Sequence, residues 1–267
     1  MAEKGFNLRR QAGFGTITAI TFAVLYLPIL ALVVFSFNAG SAVSALEGLS
    51  LRWYAAAWAN TEVQEATLRS LLIASVATIV STTVAVAAAL PLTRGQPFRG
   101  RTLVFTLINQ PLMVPEIVTA VSLLIVFAAI KVQTGYAGLG YLFAAHSAFC
   151  IPFAFMPVRA RLQGMDGTLE QAAADLYATP WRAFRHVTLP LLWPGVLAGA
   201  MLAFVTSLDD VVITEFVKGA GQDTLPTYMM GQLRRSLTPE VNAISTVLLA
   251  ISVVMVTAFH FVNRKKH

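Results

Sequence analysis

Charged side chains are scarce in this sequence. Asp, Glu, Lys and Arg make up 12% of its 267 residues, whereas an average soluble domain contains about a quarter. Hydrophobic residues reach 57%, and the mean hydropathy is +0.69. A water-soluble fold of this length could not bury so much apolar surface, so lipid must solvate much of the chain. The composition therefore excludes an ordinary soluble enzyme or binding domain.

The residues that usually carry enzyme chemistry are also few. Cys150 is the single cysteine, so the chain can form no intrachain disulfide. The sequence shows no cluster of metal ligands and no pairing of a nucleophile with a base. A nucleotide-binding P-loop ends in Gly-Lys-Ser/Thr, and no Gly-Lys pair occurs in the chain. The sequence thus predicts a protein that is not an enzyme and holds no cofactor of its own.

What the sequence does contain is a series of long apolar runs. About 20 such residues cross the roughly 30 Å hydrocarbon core as a helix, and the continuity of the runs favours helices. The sequence predicts an all-α integral membrane protein, a single domain over 1–267, with about six transmembrane helices. The predicted spans are 11–46, 70–93, 102–130 (interrupted only by Glu116), 132–158, 186–208 and 241–263.

The distribution of Lys and Arg predicts the orientation of these spans. If the N-terminus is cytoplasmic, thirteen of the nineteen basic residues lie in inner segments. The positive-inside rule then places both termini in the cytoplasm. The first run is much longer than the 7–15-residue apolar region of a signal peptide, so it is interpreted as an uncleaved span. This bias also accounts for the net charge of +6, and no nucleic-acid partner is expected.

The longest inner loop, 159–189, has the pattern of two short helices. Thr168 followed by Gln171 predicts a capping box. Thr179 followed by Pro180 predicts a second N-cap with proline at the first helical position. The loop is therefore an ordered amphipathic platform. Its composition leaves two interpretations open, a helix lying in the lipid headgroups and a docking element for another protein.

The residue order in this loop is more specific. Glu170-Gln-Ala-Ala-Ala-Asp-Leu-Tyr, followed by Val187-Thr-Leu-Pro190, resembles the cytoplasmic EAA loop of binding-protein-dependent ABC importer permeases. The family pattern is Glu-Ala-Ala, three residues, Gly, nine residues, then Ile/Val-x-Leu-Pro. The residues at the required spacing are Ala172, Ala173, Val187, Leu189 and Pro190, and Asp175-Leu176 matches a common variant.

Two positions of this EAA loop (170–190) depart from the family pattern. Gln171 stands where the family has Glu, although Glu170 is adjacent. Tyr177 stands where the family has Gly, which adopts a left-handed turn at little cost. Tyr177 must therefore either avoid that conformation or be strained, and coupling through this loop is expected to be less conventional.

Two further segments resemble the spermidine/putrescine branch of these permeases. They are Pro111-Leu-Met-Val-Pro115-Glu116-Ile and Ser207-Leu-Asp209-Asp210-Val-Val-Ile-Thr. The resemblance implies a type I importer permease of the bacterial cytoplasmic (inner) membrane, with a coupling helix between the fourth and fifth spans and polyamines as substrate. The implied ATPase-coupling residues are Glu170, Gln171, Ala172, Ala173, Asp175, Leu176, Tyr177 and Pro190.

The resemblance also implies partners. They are a second homologous permease subunit, an ATPase dimer that uses ATP and Mg²⁺ and receives the EAA loops, and a periplasmic or extracellular substrate-binding protein. Membrane lipid surrounds the assembly.

Three acids, Glu116, Asp209 and Asp210, lie inside or at the end of predicted spans. A charge at the bilayer centre costs at least roughly 2.5–3.5 kcal/mol, so such residues usually face a cavity or a partner. A rise of 1.5 Å per residue places Glu116 about 21 Å along its span and Asp209 about 28 Å along its own. The hypothesis is that the acids line the outer pathway and attract a polycation. The alternatives are helix capping at the outer mouth for the aspartates and a structural role for Glu116.

Other functions remain open at this point. The same kind of importer could carry another solute, such as ferric ion, an amino acid or an opine-like compound. An ion-coupled secondary transporter could use the aspartates as its ion site, but would leave the EAA loop unexplained. His146 is interpreted as a packed or hydrogen-bonded residue, and Gly195 with Gly199 as a small-xxx-small pair that lets helices approach closely.

Overall fold

A computed structural model describes residues 13–41, 45–235 and 238–264 of the chain. These residues are helical, apart from connecting segments and one isolated bridge between Asn38 and Leu49. A π-helical turn, Phe184–Thr188, lies between the helices Pro180–Ala183 and Leu189–Leu208. The helices are α1 Phe14–Ser36, α2 Arg52–Ala59, α3 Thr61–Thr93, α4 Arg101–Met113, α5 Glu116–Thr134, α6 Gly140–Gln163, α7 Thr168–Asp175, α8 Pro180–Ala183, α9 Leu189–Leu208, α10 Val212–Val217, α11 Leu225–Arg235 and α12 Pro239–Arg264.

Five helical segments in the described part of the chain are long and apolar enough to cross a membrane. They are α1, α3, α5, α6 and the continuous segment Pro180–Leu208. The sixth predicted span, 241–263, falls within α12, whose apolar described part Pro239–Val254 is shorter. The prediction of an all-α membrane protein is confirmed.

The third predicted span, 102–130, is not one helix. It breaks into α4 and α5 because Val114 is extended, with ψ 138°, immediately before Pro115. A proline disfavours helical backbone at the preceding residue and has no N–H to continue the ladder. The estimate of 21 Å for Glu116 assumed an unbroken helix and was wrong in that respect, because Glu116 is the first residue of α5.

The fifth predicted span begins earlier than expected. The second short helix predicted in the loop, which starts at Pro180, and the span predicted at 186–208 form one continuous segment that contains the π turn. Pro190 cannot donate to the carbonyl four residues earlier, and its ring crowds that carbonyl. In the wider turn, the Leu189 N–H instead bonds the Phe184 carbonyl, which relieves this crowding without ending the helix.

The described residues divide into two compact units. One comprises the described residues of Met1–Asn60 with those of Gln232–Ile251, and inside it the Ser36 and Tyr54 hydroxyls hydrogen-bond at 2.6 Å. The other comprises Thr61–Gly231 with the described residues of Ser252–His267. Its core lies among α3, α6 and α9, where Phe155 and Leu192 are fully buried. All the candidate site residues lie in this second unit. The single domain over 1–267 stays a prediction.

The glycines of α9 allow it to lie directly against α6. A Cβ added at Gly199 would stand 2.5 Å from the Ala154 carbonyl oxygen, and one at Gly195 would stand 2.6 Å from Arg161 Cβ. No side chain fits at such distances, so the two backbones are in contact because these positions are glycine. The small-xxx-small prediction is confirmed.

Candidate pathway and coupling sites

Asp210 immediately precedes Val211, the N-cap residue of α10, and its side chain caps the first turn of this helix. Its carboxylate accepts hydrogen bonds from the Ile213 N–H at 3.2 Å, the Thr214 N–H at 2.9 Å and the Thr214 hydroxyl at 3.0 Å. The first N–H groups of a helix have no acceptor inside the helix, and an Asp carboxylate oxygen can accept their hydrogen bonds. The Asp210 side chain is 1% exposed. Its burial is tolerated because its oxygens are bonded in this way.

His146 of α6 extends this cap into a buried polar cluster. Its Nδ1 hydrogen-bonds the Ser207 hydroxyl at 2.8 Å, and its Nε2 hydrogen-bonds the Thr214 hydroxyl at 3.0 Å. The same Nε2 lies 3.6 Å from Asp210 Oδ1. The interpretation of His146 as a hydrogen-bonded residue is confirmed, and the cluster joins α6, α9 and α10.

Asp209 differs from its neighbour in position and in exposure. It is the C-cap residue of α9, where its N–H bonds the Val205 carbonyl at 3.1 Å. Its side chain is exposed, whereas that of Asp210 is buried. Adjacent residues at a helix end point in different directions, so only one of the two carboxylates remains open to a ligand.

Glu116 completes the acidic cluster. It is partly exposed at the start of α5, and its carboxyl is close enough to interact with Asp210 and with Asp209. A helix N-terminus favours a negative charge, and Glu116 occupies that position. The structure therefore brings together the three acids that the sequence predicted, although the helices carrying them differ from those expected.

The EAA loop contains the left-handed turn that the family's glycine would provide. Tyr177 has φ +59° and is the single non-glycine residue with positive φ among those described. The Tyr177 N–H bonds the Ala174 carbonyl at 2.9 Å and the Ala178 N–H bonds the Ala173 carbonyl at 3.0 Å. This is a Schellman motif at the end of α7. Tyr177 therefore adopts the strained conformation and does not avoid it.

The two predicted caps of this loop have different outcomes. The capping box at Thr168 was wrong: Gly167 is the N-cap without a side-chain bond, and Thr168 is the first helical residue. Its N–H is taken by Asp166 Oδ1 at 3.0 Å, a bond that lowers the pKa of Asp166. The second prediction is confirmed, because the Thr179 hydroxyl accepts from the Arg182 N–H and Pro180 follows it.

The predicted coupling residues face two ways. Leu176 and Tyr177 are 82% and 96% exposed, and Trp181 nearby is 66% exposed. Glu170 instead turns inward and accepts a hydrogen bond from the Thr188 hydroxyl at 2.9 Å. The remaining predicted residues are exposed, except for the partly buried Ala173: Gln171, Ala172, Asp175 and Pro190.

Sequence reasoning missed two residues that contact this loop, Thr188 and Arg94. Thr188 lies 18 positions after Glu170. Arg94 directly follows the last residue of α3 and lies near Glu170. No local pattern links residues at such separations, so only the folded chain reveals them.

A second feature beyond sequence reasoning is an ion-pair network after α10. Lys218 Nζ lies 2.6 Å from the Glu215 carboxylate and 2.7 Å from that of Asp223. Burial lowers the pKa of Lys218, but the hydrogen bonds that its ammonium donates to Asp223 and Glu215 outweigh this effect, so the pKa is raised. Beside this network is a cleft of about 410 Å³, also lined by Lys131 and Tyr141.

Membrane-spanning helices, an acidic cluster at their ends and an exposed two-helix loop define a transport permease. The chain belongs to the family described as the binding-protein-dependent transport system inner membrane component, whose model matches residues 81–265. It is a membrane-spanning permease subunit of an ABC importer, and the EAA loop with its coupling helix is a feature of this family. An ion-coupled secondary transporter is not favoured.

Characterised relatives extend over nearly the whole chain. It is 36% identical over 252 residues to the putrescine transport system permease protein PotI of Escherichia coli K12, covering 93% of this chain and 90% of the relative. It is 37% identical over 252 residues to the spermidine/putrescine transport system permease protein PotC of the same strain, covering 94% of each. These relatives are transport subunits.

A solved structure supports the fold. A bacterial ABC transporter involved in the import of the acidic polysaccharide alginate has a chain that matches with a TM-score of 0.74. The match covers 93% of both chains at 16% sequence identity. At this identity the likeness concerns the fold alone, and the type I importer architecture predicted from the sequence is confirmed.

Proposed function

We propose that this subunit carries polyamines such as putrescine or spermidine into the bacterial cell. It works with a second permease subunit, an ATPase dimer that uses ATP and Mg²⁺, and a periplasmic or extracellular binding protein. It lies in the cytoplasmic membrane with both termini in the cytoplasm. The observation that carries the substrate class is the cluster of Glu116, Asp209 and Asp210, taken with the transport functions named for its relatives.

The chemistry of the cluster suits a polyamine. Such a substrate is an aliphatic chain that carries several ammonium groups and no carboxylate or phosphate. Because its charges are all positive, it requires carboxylates in a partly desolvated pathway. The oxygens of Asp210 already bind α10. Asp209, which is exposed, and Glu116, which is partly exposed, are therefore the residues that receive the ammonium groups.

Uptake into proteoliposomes that contain the assembled transporter tests this role. We expect Asp209→Asn and Glu116→Gln each to raise the apparent KM for the polyamine tenfold or more, which corresponds to about 1.4 kcal/mol. Glu215→Gln is the matched control, because it removes one carboxylate outside the cluster and should leave KM unchanged. Normal KM and rate in both cluster variants would refute the polyamine pathway.

A panel of competing solutes separates the polyamine from the other candidates. Excess putrescine or spermidine should suppress the uptake of labelled polyamine, whereas amino acids, opine-like compounds and ferric complexes should not. If one of these solutes is transported in place of polyamines, the assignment to ABC importers is retained and the polyamine substrate is rejected.

The exposed face of the EAA loop is the proposed contact with the ATPase. Leu176, Tyr177 and Trp181 offer apolar surface outside the membrane spans, and a lone apolar patch of this kind indicates a partner. Co-purification tests the contact: Ala172→Trp with Ala173→Trp should abolish stoichiometric binding of the ATPase subunit. Retained binding would contradict this role, and binding of the loop to lipid vesicles alone would favour the headgroup interpretation.

A further inference from the structure

We infer that Glu170 is a positioning residue that fixes α7 to the ends of α3 and α9, so that movement of α7 passes to both membrane helices. The inference rests on the proposed coupling function. It assigns Glu170 to an internal contact, although its place in the EAA loop suggests a contact with the ATPase. Gln171 is left as the exposed polar residue at the family's acidic position.

The contact with α9 is a hydrogen bond between side chains. Glu170 Oε1 accepts from the Thr188 hydroxyl at 2.9 Å, and Thr188 is 4% exposed. Thr188 is the last residue of the π turn, directly before α9. The bond therefore attaches the first turn of α7 to the point where the long helix Pro180–Leu208 is widened.

The contact with α3 is made through Arg94. Its Nη2 donates to the Met165 carbonyl at 2.6 Å, and its Nε lies 4.0 Å from Glu170 Oε2. A Cβ at Gly167 would stand 3.0 Å from Arg94 Nη1, so the guanidinium lies closely over the residues that lead into α7. One carboxylate thus faces both a hydroxyl of one membrane segment and a cation of another.

These contacts matter because α7 has little stability of its own. It contains eight residues, and isolated helices shorter than about 12–15 residues are marginal in water. Its position must be set by tertiary contacts. Removing the Glu170 contacts should leave the α7 surface available to a partner, but let it move without displacing α3 and α9.

The test measures the ATP hydrolysed per substrate transported by the complete transporter in proteoliposomes. We expect Glu170→Ala and Thr188→Val each to raise this ratio fivefold or more, with the ATPase subunit still bound and hydrolysing ATP. The double variant should be no worse than the more impaired single variant, because both changes break the same bond. Thr83→Val is the matched control, since that hydroxyl bonds the Ile79 carbonyl within α3.

The outcomes separate this inference from the proposed function. An unchanged ratio in Thr188→Val with the ATPase bound would overturn the inference, because valine keeps the shape of threonine and only replaces its hydroxyl with a methyl group. An equal rise in Thr83→Val would overturn it as well. If the unaltered protein binds no ATPase through its EAA loop, the proposed function fails instead. Should Glu170→Ala prevent assembly, Thr188→Val alone decides.

Discussion

The carboxylate of Asp210 accepts both the N–H and the hydroxyl of Thr214, at 2.9 and 3.0 Å. This pair explains why two adjacent acids at the end of one membrane helix have different environments. Asp210 is committed to α10 and to the buried cluster around His146, whereas Asp209 remains exposed. The capping alternative thus describes Asp210, and the proposed pathway role belongs to Asp209 with Glu116.

Replacing Asp210 should therefore destabilise the protein, and replacing Asp209 should not. Asp210→Ala removes the cap of α10 and leaves buried N–H groups without a partner, which should cost about 1–3 kcal/mol. Thermal unfolding of the detergent-purified protein measures this loss as a lower Tm. The Tm of the Asp209→Ala variant should equal that of the unaltered protein within experimental error. Equal losses in the two variants would contradict the division of roles.

At Tyr177, by contrast, one substitution is expected to stabilise the structure. Glycine adopts positive φ without a steric penalty, whereas the left-handed conformation costs other residues roughly 1–2 kcal/mol. Tyr177→Gly should therefore stabilise the turn by about 1 kcal/mol, and Tyr177→Val should destabilise it. Hydrogen exchange at the Tyr177 and Ala178 amides, which bond the end of α7, measures both effects. Faster exchange in the glycine variant would disprove the strain.

The close approach of α9 and α6 predicts a strong effect of one methyl group. Gly199→Ala would place a Cβ 2.5 Å from the Ala154 carbonyl oxygen, so the helices must separate. Overpacking of this kind typically costs 1–3 kcal/mol, visible as a lower Tm and reduced yield. Gly231→Ala is the matched control, because nothing lies within 4 Å of its added Cβ. Equal Tm values for the two variants would rule out the contact.

The Lys218 network predicts a dependence on alkaline pH. The pKa of Lys218 is raised above its usual 10.5, so its charged form is favoured in the folded state. The stability it contributes is complete below about pH 10.5 and is lost as pH rises through the higher folded value. Hydrogen exchange at the Gly219 amide between pH 9 and 12, corrected for intrinsic exchange, should show loosening that Lys218→Met abolishes. Identical profiles in both proteins would refute the network's role.

Much of this protein follows from local features of its sequence. The apolar runs determine that it is a helical membrane protein, because lipid cannot satisfy exposed backbone groups. Thr179 with Pro180 determines a helix start, because the threonine hydroxyl accepts from the N–H three residues later and the proline φ already suits a helix. The order of residues in 170–190 identified the coupling loop, and the rarity of acids in the spans identified Glu116, Asp209 and Asp210.

Tertiary structure decided which of these residues do what. The positive φ of Tyr177 is imposed by the Schellman turn against the residue's own preference. The π turn before Pro190 depends on the helix continuing through a proline. The pairing of Glu170 with Thr188, and of His146 with Asp210, joins positions far apart in the chain, and only packing brings them together. Composition and spacing determine where helices form, but the close contacts between helices decide which polar side chain is buried in hydrogen bonds and which remains exposed.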